Sequence, residues 1–235
     1  MIVCRDLVKY YHDSVGIEKL DLTIADGSVV GLFGANGAGK STLLRLIAGL
    51  ISPTSGEVTI DGRAPAKSRE RIAYMTESGS WFPGLGVEEH ADFLEDFYPC
   101  FDRERYFKLA GFFELPFDKK ARAMSKGQRA KLETAIGFSK GAELLLLDEP
   151  FLGKDIFSRS DFLKSAAALL DGETLIIATH DVAEVSNFID RALMLSSGRL
   201  CGDVTPDELF EEHDTLEARL AAVCGYDPDR VNMLM

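Results

Sequence analysis

At 235 residues, 46% hydrophobic and 27% charged, the chain carries enough apolar side chains to bury a sizeable core, which excludes disordered and fibrous classes. Lys+Arg 26 against Asp+Glu 38 leaves a net charge of −12, a surface that repels phosphate backbones, so nucleic acid and anionic lipid are not expected partners.

Apolar and polar side chains alternate at period two in IVCRDLVKYY, in KLDLTIADGSVVGLF and in GEVTIDG, which predicts an antiparallel β layer joined by Gly-rich turns. Val29–Phe33 reads as a short buried strand, and a helix is predicted from near Lys40. Between Val87 and Ser139 strand signals vanish, and VEEHADFLEDFY, DRERYFKLAGFF and GQRAKLETAIGF read as amphipathic helices. They predict a helical subdomain inserted at about residues 78–140. Leu144–Leu147 and Thr174–Ala178 are again buried strands with a helical pattern between them, so the body is α/β with a mainly parallel sheet. Residues 203–235 predict short helices and a loose terminus, and the whole of 1–235 reads as one domain. Cys4, Cys100, Cys201 and Cys224 lie far apart without a C-x-x-C pair and are expected to be free thiols of a reducing cytosol. No apolar run approaches bilayer length and the N-terminus is charged within five residues, so a soluble, unsecreted chain is expected.

Gly34 to Ser41, GANGAGKS, matches G-x-x-x-x-G-K-[ST] between a predicted strand and a predicted helix. Gly34, Gly37 and Gly39 let the backbone wrap a phosphate, with N–H groups and the helix N-terminus turned toward its charge. Lys40 is placed to reach the β- and γ-phosphates and Ser41 to hold Mg²⁺, so Gly34, Ala35, Asn36, Gly37, Ala38, Gly39, Lys40, Ser41 and Thr42 form a candidate nucleoside-triphosphate cradle, which alone does not choose among kinases, GTPases and ATPases. In AELLLLDEP a buried strand delivers Asp148, a second candidate Mg²⁺ ligand, and Glu149, which can polarise an attacking water. TLIIATHD brings His180 to another strand end. The fold class is thus an α/β P-loop NTPase core with an antiparallel β layer and an inserted helical subdomain.

With these motifs in place, MSKGQRAKLETAIGFSKGAELLLLDEP resembles the LSGGQ signature and Walker B strand of ATP-binding cassette (ABC) transporter nucleotide-binding subunits. The resemblance implies that Tyr11, with neighbouring Tyr10 as the other choice, stacks on adenine. It also implies that Glu77 takes the place of the Q-loop glutamine near the metal, that Gly153 and Asp155 belong to the D-loop, and that His180 is the switch histidine. Two cassettes, identical or paralogous, would meet head to tail, with Ser125, Lys126, Gly127 and Gln128 of one facing the ATP of the other. The partner implied is a separate integral-membrane permease, placing the chain in the cytoplasm on the inner face of the membrane. The approach to the signature and the DTLEARL tail resemble Gram-positive-type bacterial exporters.

Three departures from the family pattern stand out: Glu77 is a carboxylate in place of an amide, Lys126 replaces the first signature glycine, and FLGKD lacks the usual D-loop serine and leucine. The alternatives are a soluble ABC-type ATPase, against which the lack of long coiled coils and of a second cassette in 235 residues counts, and a nucleotide-gated regulatory module with little turnover, against which the retained Glu149 counts. ESGSWFPGLGVEEH, with the chain's one tryptophan, reads as a groove for a helix of the permease, unless Trp81 or Phe82 folds back into the subdomain core.

Overall fold

The computed structural model describes residues 1–76, 79–151, 156–180, 182–212 and 214–224. β1 (Ile2–Tyr11) and β2 (Ser14–Ile24) pair antiparallel, and from Leu20 to Ile24 buried and exposed residues alternate because only one face packs inward. β3 (Val29–Phe33) runs through residues 34–39 into α1 (Lys40–Ile47), and β4 (Ser55–Ile60) then joins the other edge of β1. These strands make the expected antiparallel layer, in the order β2-β1-β4.

β5 (Ile72–Met75) starts the second sheet, and α2 (Val87–Phe97), α3 (Arg103–Phe112) and α4 (Lys126–Ser139) follow before the chain returns to it as β6 (Leu144–Asp148). The remaining elements are α5 (Ile156–Leu169), β7 (Thr174–Thr179), α6 (Val182–Val185), β8 (Arg191–Ser196), β9 (Arg199–Val204), α7 (Pro206–Glu211) and α8 (Leu216–Cys224). β9 carries the chain to Val204, so the C-terminal helices begin at Pro206 rather than at Asp203. The sheet order is β5-β6-β7-β3-β8-β9, parallel throughout except for the antiparallel β8–β9 edge.

Every residue of β6 and β7 is buried, which is why both read as unbroken apolar runs: a parallel strand covered on both faces has no solvent side to alternate toward. The period-two geometry persists inside the run. Leu144 and Leu146 pack with α1 residues Leu43, Leu44 and Ile47 against the antiparallel layer, whereas Leu145 and Leu147 pack with Leu132, Ala135 and Ile136 of α4. The large sheet therefore divides two cores, and α1 is wedged between the two sheets.

β3, β6 and β7 are parallel neighbours, so residues 34–41, 148–149 and 179–180 emerge together at the carboxyl edge. In open α/β sheets this edge is where ligands bind.

Candidate functional site: a phosphate cradle facing two carboxylates

The loop after β3 can turn as it does only with glycine at its narrow points. At Gly34, φ is 152° and an added Cβ would lie 2.3 Å from the Leu195 carbonyl oxygen; at Gly39, φ is 109° and a Cβ would lie 2.5 Å from the Gly16 carbonyl oxygen. Gly39 is the N-cap of α1 and brings no side chain to the first turn, so the helix N–H groups stay open to an anion. A cavity of about 370 Å³ opens here, lined by Tyr11, residues 14–16, residues 35–42 and Glu149. The predicted adenine residue thus does lie beside the predicted phosphate loop. The Tyr11 hydroxyl is 3.4 Å from Thr42 Oγ1, and Lys9 Nζ sits 5.4 Å above the ring.

Lys40 is 5% exposed, and its Nζ donates to the Gly34 carbonyl at 2.8 Å. The ammonium is also 3.3 Å from Glu149 Oε1. That carboxylate oxygen is buried and makes no hydrogen bond, although the ion contact is close. Its partner oxygen, Oε2, lies 3.0 Å from His180 Nδ1, and the Glu149 amide donates to the Ala178 carbonyl at 2.8 Å. Glu149 holds φ at 50°, a left-handed conformation that a non-glycine residue adopts at a cost of about 1 kcal/mol or more. The neighbouring strand fixes this turn, which aims one oxygen at His180 and leaves the other facing the cradle.

Ser41 Oγ donates to Asp148 Oδ1 at 2.8 Å, across 107 residues of sequence. A hydroxyl and a carboxylate meeting at the foot of a phosphate loop are the hard oxygen donors that suit Mg²⁺, which is bound by one or two protein oxygens together with substrate phosphates. The residues present fit that ion. Glu77, expected near the metal, and Gly153 and Asp155, expected in the D-loop, lie outside the described residues.

The signature residues stand at the N-terminus of α4; none of them lines the phosphate cavity of their own chain, and Lys126 lines a neighbouring cavity together with Glu149. Ser125 Oγ accepts from the Gln128 amide at 3.1 Å while Gln128 Oε1 accepts from the Ser125 amide at 2.9 Å, a reciprocal capping box. Ser125 keeps its own hydroxyl proton for another acceptor. A Cβ on Gly127 would meet only Ser125 Oγ, at 4.0 Å, so its outer side is open, and Lys126 is exposed.

In the loop after β5 the two aromatics of the expected docking groove part ways. Trp81 folds back, half-buried, against the α2–α4 core, with the Arg129 guanidinium 5.3 Å from its ring centroid, and Glu133 of α4 accepts from Ser80 N and Oγ at 2.6 and 2.7 Å. The large indole gains more from burial and from a cation over its face than it would in water. Phe82 remains 43% exposed and continues into Phe93 and Phe97, with successive centroids 4.6 and 4.5 Å apart.

His90 fixes this loop from below. Its Nε2 accepts from the Phe82 amide at 2.9 Å and its Nδ1 donates to the Gly86 carbonyl at 2.6 Å, an arrangement that needs the neutral ring. Burial holds the His90 pKa below the usual imidazole value of 6.5. The unfolded chain therefore takes up this proton first, so the stabilisation is complete above pH 6.5 and is lost as the pH falls below it. Thermal melts from about pH 7 to about pH 5 should show a stability loss that is smaller in His90→Gln. An identical slope in the variant would contradict the neutral-ring arrangement.

Two residues of the site carried no sequence signal as such. Tyr74 on β5 donates to Asp148 Oδ2 at 2.8 Å, and Arg45 on α1 lies within electrostatic reach of the Tyr74 phenol.

The ABC transporter family matches residues 17–152. The chain belongs to the ABC transporter family. This cassette is similar to the ABC transporter ATP-binding protein YtrB of Bacillus subtilis (strain 168), at 31% identity over 218 residues covering 91% of this chain and 75% of that protein. It is also similar to the lipopolysaccharide export system ATP-binding protein LptB of Haemophilus influenzae, at 29% identity over 225 residues, or 90% of this chain and 93% of that one. Among solved structures, an ATP-binding subunit of an ABC transporter superposes with a TM-score of 0.80 at 25% identity, covering 100% of this chain and 98% of the other. As a member of this family the cassette is an ATPase subunit, and its described residues contain no helix long and apolar enough to cross a membrane.

Proposed function

We propose that this cassette binds Mg²⁺-ATP on residues 34–42, pairs head to tail with a second cassette, and hydrolyses ATP to drive a separate permease from the cytoplasmic face of the membrane. The observation that carries the reading is the juxtaposition, at one sheet edge, of the Lys40 ammonium, the Ser41–Asp148 pair and a buried Glu149 oxygen without a hydrogen bond. Lys40 meets the β- and γ-phosphates, Tyr11 the adenine, and Ser41 and Asp148 hold the metal. Bound Mg²⁺ supplies charge neutralisation on the transferring phosphoryl group. Glu149 Oε1 takes the proton of the attacking water, while His180 orients the carboxylate through Oε2.

Neither Ser125 nor Gly127 lines the cassette's own phosphate cavity. The open side of Gly127, the spare Ser125 proton and the N-terminus of α4 suit the γ-phosphate held by a second copy or a paralogue, so each site is completed by the partner. Lys126 and Gln128 flank that contact, and Asp155 is assigned to the interface by the family pattern.

The permease is assigned to the exposed Phe82–Phe93–Phe97 ledge, since aromatic rings offer large contact area at little entropic cost. Trp81 is excluded from it by its packing under Arg129. Phe82→Asp should abolish co-purification with the permease while the isolated subunit keeps its ATP affinity and melting temperature. Undiminished co-purification would refute the assignment.

A further inference from the structure

Asp148 is buried, and both of its carboxylate oxygens are held. Oδ1 accepts from Ser41 Oγ and Oδ2 accepts from the Tyr74 hydroxyl, each at 2.8 Å. The first bond lies inside the phosphate loop. The second comes from the neighbouring strand β5, whose Tyr74 pairs in register with Leu146 of β6, so the phenol reaches the strand end from the side. The guanidinium of Arg45, on α1, the helix that begins with Lys40, lies within electrostatic reach of the phenol. The phenol donates and the carboxylate accepts, so the bond holds Oδ2 from the side opposite the phosphate loop's own contact with Oδ1.

We propose that Tyr74, polarised by Arg45, is the positioning residue for Asp148, locking the carboxylate in the one rotamer that can serve the nucleotide-bound metal and tying α1, β5 and β6 into one unit around it. The proposal rests on the reading of Ser41 and Asp148 as the metal-holding pair. Each carboxylate oxygen has two acceptor directions, so a hydroxyl on each leaves capacity for the ion or a water bound to it. Without Tyr74, Oδ2 would be a buried acceptor lacking its partner, and Asp148 would turn toward other donors, Lys40 among them. Groups that orient a metal-holding carboxylate in this way typically contribute 10- to 100-fold to metal affinity. The guanidinium acts through its field on the phenol. It withdraws electron density from the phenol oxygen and strengthens the O–H as a donor to the carboxylate.

The test is a Mg²⁺ titration of the full chain with a non-hydrolysable ATP analogue, following nucleotide-dependent thermal stabilisation from metal-free buffer upward. Tyr74→Phe keeps the ring that packs on the strand and removes only the hydroxyl. It should leave metal-free nucleotide affinity unchanged and raise the midpoint Mg²⁺ concentration about 10-fold. Arg45→Met, which leaves Tyr74 intact, should shift the midpoint in the same direction by less and serves as the second reading if Tyr74→Phe lowers the melting temperature of the apo protein. Arg45→Lys should restore part of the shift. Asp148→Asn is the control for the underlying reading. A wild-type midpoint in both Tyr74→Phe and Arg45→Met, with a shifted one in Asp148→Asn, would overturn the positioning role alone. A midpoint insensitive to Asp148→Asn would overturn the metal assignment and the proposal with it.

Discussion

Replacing Glu149 by Gln should lower ATP turnover by about 100- to 1,000-fold, the range expected when a general base is removed and the rest of the site is kept. The amide has the same shape and can still accept from His180 Nδ1, so the turn at φ 50° and the pairing with Ala178 should persist. What disappears is the negative oxygen that sits buried, without a hydrogen bond, 3.3 Å from Lys40. Since that oxygen faces Lys40, neutralising it removes a charge that competes with phosphate for the ammonium. ATP affinity should therefore hold or rise while phosphate release collapses. Phosphate release within a few-fold of the wild-type rate would remove Glu149 from the mechanism.

Lys40→Ala has the second large effect, and it falls on binding. The ammonium is almost wholly enclosed and is already held by the Gly34 carbonyl, so its position toward the cradle is set before nucleotide arrives. Losing one partner of a buried charge contact costs about 2–5 kcal/mol, and on that scale ATP affinity should drop about 100-fold or more in an equilibrium titration. The loop loses the brace from Lys40 to the Gly34 carbonyl but keeps the close approaches of Gly34 and Gly39 that set its turns, so the apo fold should survive. An unchanged dissociation constant would displace the nucleotide from this loop.

The parts of the site that the sequence reveals are those whose chemistry is local in the chain. Residues 34–41 carry their glycines, lysine and hydroxyl consecutively because the phosphate is wrapped by successive backbone N–H groups. Asp148 and Glu149 follow four leucines because a strand covered on both faces must be apolar throughout. The antiparallel layer was legible for the opposite reason, since one wet face makes residues alternate; β2 nevertheless starts at Ser14, ahead of the clearest alternation, which begins near Leu20. Tyr74 and Arg45 were not legible in their roles. Their partner is reached across strands and helices, and a tyrosine on a strand or an arginine on a helix is ordinary in either place. Trp81 could be read two ways for a related reason. An aromatic in a Gly- and Pro-rich loop suggests an exposed anchor, and only the packing shows that Arg129 and the α2–α4 core receive it.

The account stands or falls on the composite site, and sedimentation velocity of Glu149→Gln with ATP and Mg²⁺ tests it most directly. A chain that binds ATP without hydrolysing it should hold two cassettes together, each Ser125 region on the other's nucleotide. Removing ATP, or adding Ser125→Arg to place a bulky side chain at that contact, should return it to monomer. A protein that binds ATP with undiminished affinity yet stays monomeric across a wide concentration range would contradict the head-to-tail arrangement.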